Sequence, residues 1–339
     1  MSKNLSGTRE NNFDALRLVA AVSVIFSHAF LLGEGRQDNE PLYAASGGQC
    51  VLGVVGVFVF FIISGFLITQ SFEATNSGRR FLVKRGLRIY PGLGVCLLLC
   101  AFVLGAWATS LPPGAYFGDR GVFEFVAWNL AMDATHNGLP GVNFSGYEIG
   151  HIVNGPLWSL PCEMLMYLLV WGLGICRLLR VEVILGLLSV GLACIWFDTA
   201  QYDYLIASAG WLLGFFAMGM LLYKLRETRV FDGRVALLAA AGLVVSVKLH
   251  LFILLFPLFG GYLTLYLALH RRLPALRAAR YGDLSYGLYI YGWPVEQGVM
   301  AATGGIGWLP LFLLSLPLTA GLGLLSWHFV EKPALRLKR

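Results

Sequence analysis

Apolar residues recur along this chain in blocks of about twenty, the length that carries a helix across a hydrocarbon core of ~30 Å. The blocks predict ten helical spans, over residues 14–33, 51–72, 91–110, 158–176, 183–198, 205–223, 235–249, 251–270, 284–301 and 308–330. Residues 235–270 are almost continuously apolar. As one helix they would extend roughly 54 Å, too far for a single crossing, and Lys248 and His250 mark the break. The longest polar stretch, 111–157, is rich in Gly and Pro and carries Tyr116, Phe117, Trp128, Phe144 and Tyr147, with a short interfacial helix expected over 122–132. A long loop in an otherwise short-looped chain is usually functional. With no internal repeat and no low-complexity segment, residues 1–339 read as a single all-α domain, a polytopic membrane bundle of about ten helices.

Composition supports that reading. Hydrophobic residues make up 57% of the 339, charged residues 13%, and the mean hydropathy is +0.70. Soluble domains carry roughly 25% charged residues. The net charge of +6 points to no nucleic acid, because the charges lie in short segments between apolar blocks, as topology signals do. With the N-terminus inside, every lysine and arginine except Arg17, Arg36, Arg120 and Lys248 falls on the inner side. Ten crossings with both termini cytoplasmic follow from this count, whereas nine would put the last two basic clusters on the wrong side. The first block holds Arg17 and His28 and no small-x-small cleavage site follows it, so it reads as a span and not as a cleaved signal. Of six cysteines only Cys50 is expected to be wet, and no zinc spacing or other metal site exists.

Ionisable groups inside a span are costly, and each is therefore a functional candidate. Arg17 and His28 are eleven residues apart, close to three full turns, so they share a helix face about 16 Å apart along the axis. Asp14, one turn before Arg17, is positioned to pair with it. Glu163 lies about 8–9 Å below the start of its own span, a depth that matches His28. A carboxylate and an imidazole at one level are the ingredients of a general base and its orienting partner. In RRFLVKRGLRIYP, Arg85 and Arg88 share a face and could grip phosphates. The plainer readings are a snorkelling Arg17, a hydrogen-bonding His28, a structural ion pair at Glu163, and topology or lipid contact for the arginines. No P-loop is present. Ser64 reads as an interhelical hydrogen bonder, Ser285 and Tyr289 belong to a Gly- and Tyr-rich stretch, and His136 and His151 read as solvated loop residues.

At these residues the sequence resembles acyltransferase family 3, the multi-pass membrane acyltransferases that modify bacterial surface and secreted carbohydrates. FDALRLVAAVSVIFSH fits the opening Arg-x10-His pattern, VFVFFIISGFLI the second-span motif, and FLVKRGLRIYP the Arg-x-x-Arg motif. LWSLPCEMLMY resembles the element carrying Trp158 and Glu163, LSYGLYIYGWPV the late motif carrying Ser285 and Tyr289, and SWHFVEKP the closing element. The resemblance implies transfer of an acyl group, commonly acetyl, from cytoplasmic acyl-CoA to a carbohydrate acceptor at or beyond the outer face of a bacterial inner (cytoplasmic) membrane. Acetyl-CoA would be a donor substrate, with no permanently bound cofactor and no metal. His28 and Glu163 would be catalytic; Arg17, Arg85 and Arg88 would bind the donor; Asp14, Trp158, Ser285 and Tyr289 would contact substrate. Partners would be the lipid bilayer and polysaccharide-assembly proteins. Many members have histidine where this chain has Gly292. The competing readings are a transporter or flippase for lipid-linked sugars, which should show paired broken helices, and a scaffold without chemistry.

Overall fold

The computed structural model describes residues 11–75, 77–145, 147–197, 204–227, 231–269 and 282–337. The basic residues Lys3, Arg9, Arg229, Arg271, Arg272, Arg277, Arg280, Lys338 and Arg339, which entered the charge count, lie outside the described residues.

The chain runs through α1 (Phe13–Glu34), the short α2 (Pro41–Ala45), α3 (Leu52–Glu73) and α4 (Gly78–Leu99). A π turn at Cys100–Leu104 carries α4 into α5 (Gly105–Ala108). The long loop holds α6 (Pro113–Gly118) and α7 (Arg120–Leu130), which is the expected interfacial helix shifted by two residues, and two 3₁₀ turns, Glu148–His151 and Gly155–Trp158. There follow α8 (Ser159–Ile175), α9 (Val181–Trp196), α10 (Tyr204–Lys224), α11 (Gly233–Lys248), α12 (Phe252–Leu269), α13 (Leu284–Thr303) and α14 (Trp308–Ser326). A second π turn, Trp327–Glu331, leads into α15 (Lys332–Arg336). No strand occurs among the described residues; the one bridge, Thr109 to Val142, pins the long loop to the end of α5.

Every one of the ten apolar blocks holds a helix. Among the described residues, seven helical stretches are long and apolar enough to cross a membrane: Phe13–Glu34, Leu52–Glu73, Gly78–Ala108, Gly155–Ile175, Tyr204–Lys224, Phe252–Leu269 and Trp308–Arg336. Helices α9 and α11 are shorter, at 16 residues each. The polar residues Ser285, Glu296 and Gln297 interrupt the apolar run of α13. The break between α11 and α12 falls at the predicted place, where His250 turns the chain with φ 56°. Helix α4, which holds the third apolar block, starts thirteen residues before that block, at Gly78. Ser77 caps it by accepting the Arg80 backbone N–H, and the long basic side chains that follow are good helix formers, so the Arg85 and Arg88 turns are helical. Cys50 is buried and not wet, and burial together with the Glu40 charge pushes its thiol up to about 12; Cys176, at the end of α8, is the exposed one.

Helix α1 packs against α3, α13 and α14. Small residues let these backbones approach, as in membrane bundles. A Cβ at Gly56 would lie 2.6 Å from the Ala20 carbonyl oxygen, and one at Gly53 would lie 2.9 Å from Ser27 Cβ. At the α3–α10 crossing, a Cβ at Gly65 would collide with the Phe216 carbonyl oxygen, and one at Gly219 with that of Ile62. Helices α1, α4 and α13 run parallel. Arg17, Arg88 and Asp283 meet at their arginine end, His28 and Glu296 meet further along, and Gly33 touches Gly307 and Trp308 at the far end.

Candidate active site

At the arginine end, α1 supplies Arg17, α4 supplies Arg85 and Arg88, α8 supplies Ser159, Glu163 and Tyr167, and α13 supplies Ser285, Tyr286 and Tyr289 to one cavity. Ser64, Val57, Phe60 and Phe61 of α3 form its wall. The expected Asp14–Arg17 pair does not form. Arg17 Nη1 lies 3.1 Å from Asp283 Oδ2 instead, because the residue capping α13 is delivered between α1 and α4. The same oxygen accepts from Arg88, whose other nitrogen lies 3.6 Å from Glu331 Oε2. Ser285 donates to Asp283 Oδ1 at 2.6 Å. Burial alone would raise the Asp283 carboxyl, but the two guanidiniums and the Ser285 hydrogen bonds outweigh it and hold the group well below its ordinary value. Arg85 is the least committed of the three arginines. It donates to Ser71 Oγ at 3.4 Å and lies 5.9 Å from the ring centroids of Phe81 and Tyr167, and its buried Nε has no partner. Asp14 lines neither this cavity nor the next.

His28 opens into a second cavity, lined also by Ser27, Gln37, Thr135, Asn137, Trp158, Tyr204 and Trp293. Its ring meets Trp293 edge-on at 4.8 Å. The carboxylate beside it is not Glu163. It is Glu296 of α13, fully buried, with Oε2 3.6 Å from His28 Nδ1. Neither Glu296 oxygen has a hydrogen-bond partner. Glu163 accepts from Tyr167 in the arginine cavity. Glu163 and His28 do not lie at one depth, because α8 does not begin at the face of the bundle. Residues 152–158 dip inward, held by Asn154 Nδ2 donating to the Ile290 carbonyl at 2.9 Å and by Tyr289 donating to that of Pro156 at 3.0 Å. Gly155 allows the dip, since a Cβ there would lie 3.2 Å from the Trp293 ring. Tyr289 contacts Ser159 Oγ at 2.5 Å and precedes Glu296 by seven residues, about 10 Å of helix. Helix α8 therefore starts about that far below His28, and Glu163 lies one turn deeper.

Glu296 was visible in the sequence as an ionisable residue inside the ninth apolar block, but it was not singled out. Its neighbour Gln297 donates to the Ile149 and Ile152 carbonyls at 3.3 and 2.9 Å, and Trp293 Nε1 to that of Ile152 at 2.9 Å. These bonds seat the long loop on α13. One turn before Glu296, a Cβ at Gly292 would lie 2.8 Å from Ile25 Cγ1, so Ile25 fills the space into which a larger side chain would project.

The two cavities share Val57 and Tyr289. Trp158 lines the histidine cavity, Ser285 the arginine cavity, and Tyr289 both. Among the described residues no group of three His, Cys, Asp or Glu side chains could hold a metal ion.

A cationic cavity that shares a wall with one holding a histidine beside a buried carboxyl suits group transfer. The family model described as an acyltransferase domain matches residues 10–328. The chain belongs to acyltransferase family 3. This family 3 chain is similar to nodulation protein 10 of Rhizobium leguminosarum bv. viciae, at 30% identity over 99% of this chain and 96% of that protein. It is similar to the O-acetyl transferase of Shigella phage Sf6 at 28% identity over 96% of each. A shorter likeness, 29% identity over 34% of this chain and 27% of the relative, is to acyltransferase MdmB of Streptomyces mycarofaciens. No solved structure matches. Membership of acyltransferase family 3, together with the apolar helices, makes this a multi-pass membrane acyltransferase and removes the ground for the transporter and scaffold readings.

Proposed function

We propose that this acyltransferase moves an acetyl group from cytoplasmic acetyl-CoA to a hydroxyl of a cell-surface or exported polysaccharide, or of its lipid-linked precursor, in the bacterial inner membrane. The observation that carries this reading is the pair of cavities that share Val57 and Tyr289 as a wall, with arginines in one and His28 in the other. The excess of Lys and Arg on one side supports ten crossings of a single domain, with both termini and the arginine end cytoplasmic. Acetyl-CoA is then consumed as a substrate and no cofactor stays bound. The acetyl transfer rests also on the likeness to a protein named O-acetyl transferase.

Arg85 binds donor phosphate, and Arg17 and Arg88 add to the positive field although Asp283 already partners them. Ser285 and Tyr289 line the path of the acyl arm, and Trp158 and Trp293 flank the acceptor. Glu296 faces His28 Nδ1, which leaves Nε2 to take the acceptor proton. The acceptor oxygen attacks the thioester carbonyl, the C–S bond breaks, and His28 returns the proton to the leaving thiolate. Glu163 holds Tyr167 beside Arg85 and serves the donor end.

Purified protein in liposomes, supplied with labelled acetyl-CoA and an acceptor glycan, tests the reading. Label should appear on the glycan with wild type and vanish with His28→Ala, which should remain folded in the membrane. Full labelling by that variant refutes the base assignment, and movement of unmodified sugar without labelling refutes the enzyme reading.

A further inference from the structure

A second concavity opens at the histidine end of the bundle, outside the His28 cavity. Its volume is about 1080 Å³, at the upper end for small-molecule sites. Four separated parts of the chain build it: the end of α1, the end of α5, residues 143–145 with Tyr147, and the turn between α13 and α14. Close backbone contacts hold these parts together. A Cβ at Gly33 would lie 2.7 Å from the Trp308 nitrogen, and one at Gly35 would lie 2.7 Å from the Tyr147 ring.

The lining has a consistent chemistry. Trp107 and Tyr147 are 58% and 41% exposed and present flat amphipathic rings. Asn143 uses its Oδ1 on the Ser145 backbone N–H at 3.3 Å, which leaves its amide donors without a bond among the described residues. Cβ atoms added at Gly304 and Gly307 would meet nothing within 4 Å, so bare peptide groups face the open space. Among the described residues no charged side chain lines the groove. Aromatic planes beside neutral donors and acceptors match a sugar, whose C–H face stacks while its hydroxyls exchange hydrogen bonds. A plain interfacial aromatic belt would explain the two rings but not the polar and backbone lining around them.

The groove is close to the reacting site. Gly33 lies five residues beyond His28 on α1, about 8 Å along the axis, and Leu31 and Ile152, which line the His28 cavity, pack in one apolar cluster with Met300, which lines the groove. We infer that this groove is a second carbohydrate subsite, holding uncharged sugar units of the acceptor chain beyond the unit that reacts at His28. The inference rests on a glycan acceptor and makes long acceptors better substrates than short ones.

Binding can be read without turnover. Neutral oligosaccharides released from the host's own surface polysaccharide, fractionated by length, are titrated into detergent-solubilised His28→Ala protein by calorimetry. Affinity should rise at least tenfold from the shortest to the longest fraction. Adding Trp107→Ala or Tyr147→Ala should abolish that gain while leaving affinity for the shortest fraction unchanged, and Trp107→Phe should restore part of it. Absence of binding, or length dependence indifferent to both rings, overturns the subsite. In wild type the same ring changes should raise KM for long acceptors with kcat unchanged. Length-dependent binding by a protein that acetylates no glycan would keep the subsite and refute the acetyltransferase reading alone.

Discussion

Among the described residues the imidazole of His28 is the one titratable group within ion-pair distance of Glu296, whose two oxygens accept no hydrogen bond. Its effect on the reaction therefore passes through His28, which makes it a positioning residue. Glu296→Gln keeps the volume and replaces the carboxyl by an amide, so kcat should fall by about 10²–10⁴ with KM for acetyl-CoA unchanged. Arg85→Ala should do the reverse and raise KM for the donor. Arg85→Lys should recover little, because a point charge does not replace a planar fork. Steady-state kinetics against each substrate separates the two effects. The candidate residues were legible to different degrees. Arg17, Arg85, Arg88, Glu163, Ser285 and Tyr289 do line one cavity, and His28 and Trp158 another. Which carboxylate faces His28 was not legible, since residue depth depends on where α8 begins, and Gly155 and Asn154 carry no depth signal in the sequence.

Hydropathy found the ten long helices because twenty apolar residues in a row have few other solutions. It misplaced the start of α4, because an apolar block marks where lipid contact begins and not where the first hydrogen-bonded turn forms. Helix–helix contacts were not legible either, although the glycines that make them were in view. At the α3–α10 crossing no side chain can yield to an added methyl group; the backbones themselves must part. Gly65→Ala should therefore cost about 1–3 kcal/mol. Gly94→Ala, where an added Cβ meets nothing within 4 Å, should be neutral or stabilise by up to about 1 kcal/mol. Thermal unfolding of the two variants in one detergent makes the comparison, and equal midpoints would contradict the close crossing.

Across the whole molecule, Asp283 is the residue that joins α1, α4 and α13 at the arginine end. Its carboxyl is held below its ordinary value of 3.8. The stability it contributes is present above that value and is lost as pH falls through the lower folded-state value. Unfolding midpoints should drop on acidification below about pH 4 in wild type. Asp283→Asn should lower stability at neutral pH by about 3–5 kcal/mol, the cost of breaking a buried pair, and should flatten the acid limb. The wall shared by the two cavities has an electrical consequence. If water fills both, the transmembrane voltage falls mainly across Val57 and Tyr289, where each elementary charge moved costs about 2.3 kcal/mol per 100 mV. The proposed exchange carries a neutral thioester in and a neutral thiol out, and the proton returns on the sulfur. Turnover at this thin septum is then expected to be indifferent to membrane potential, so that acetylation continues in a cell whose membrane is de-energised.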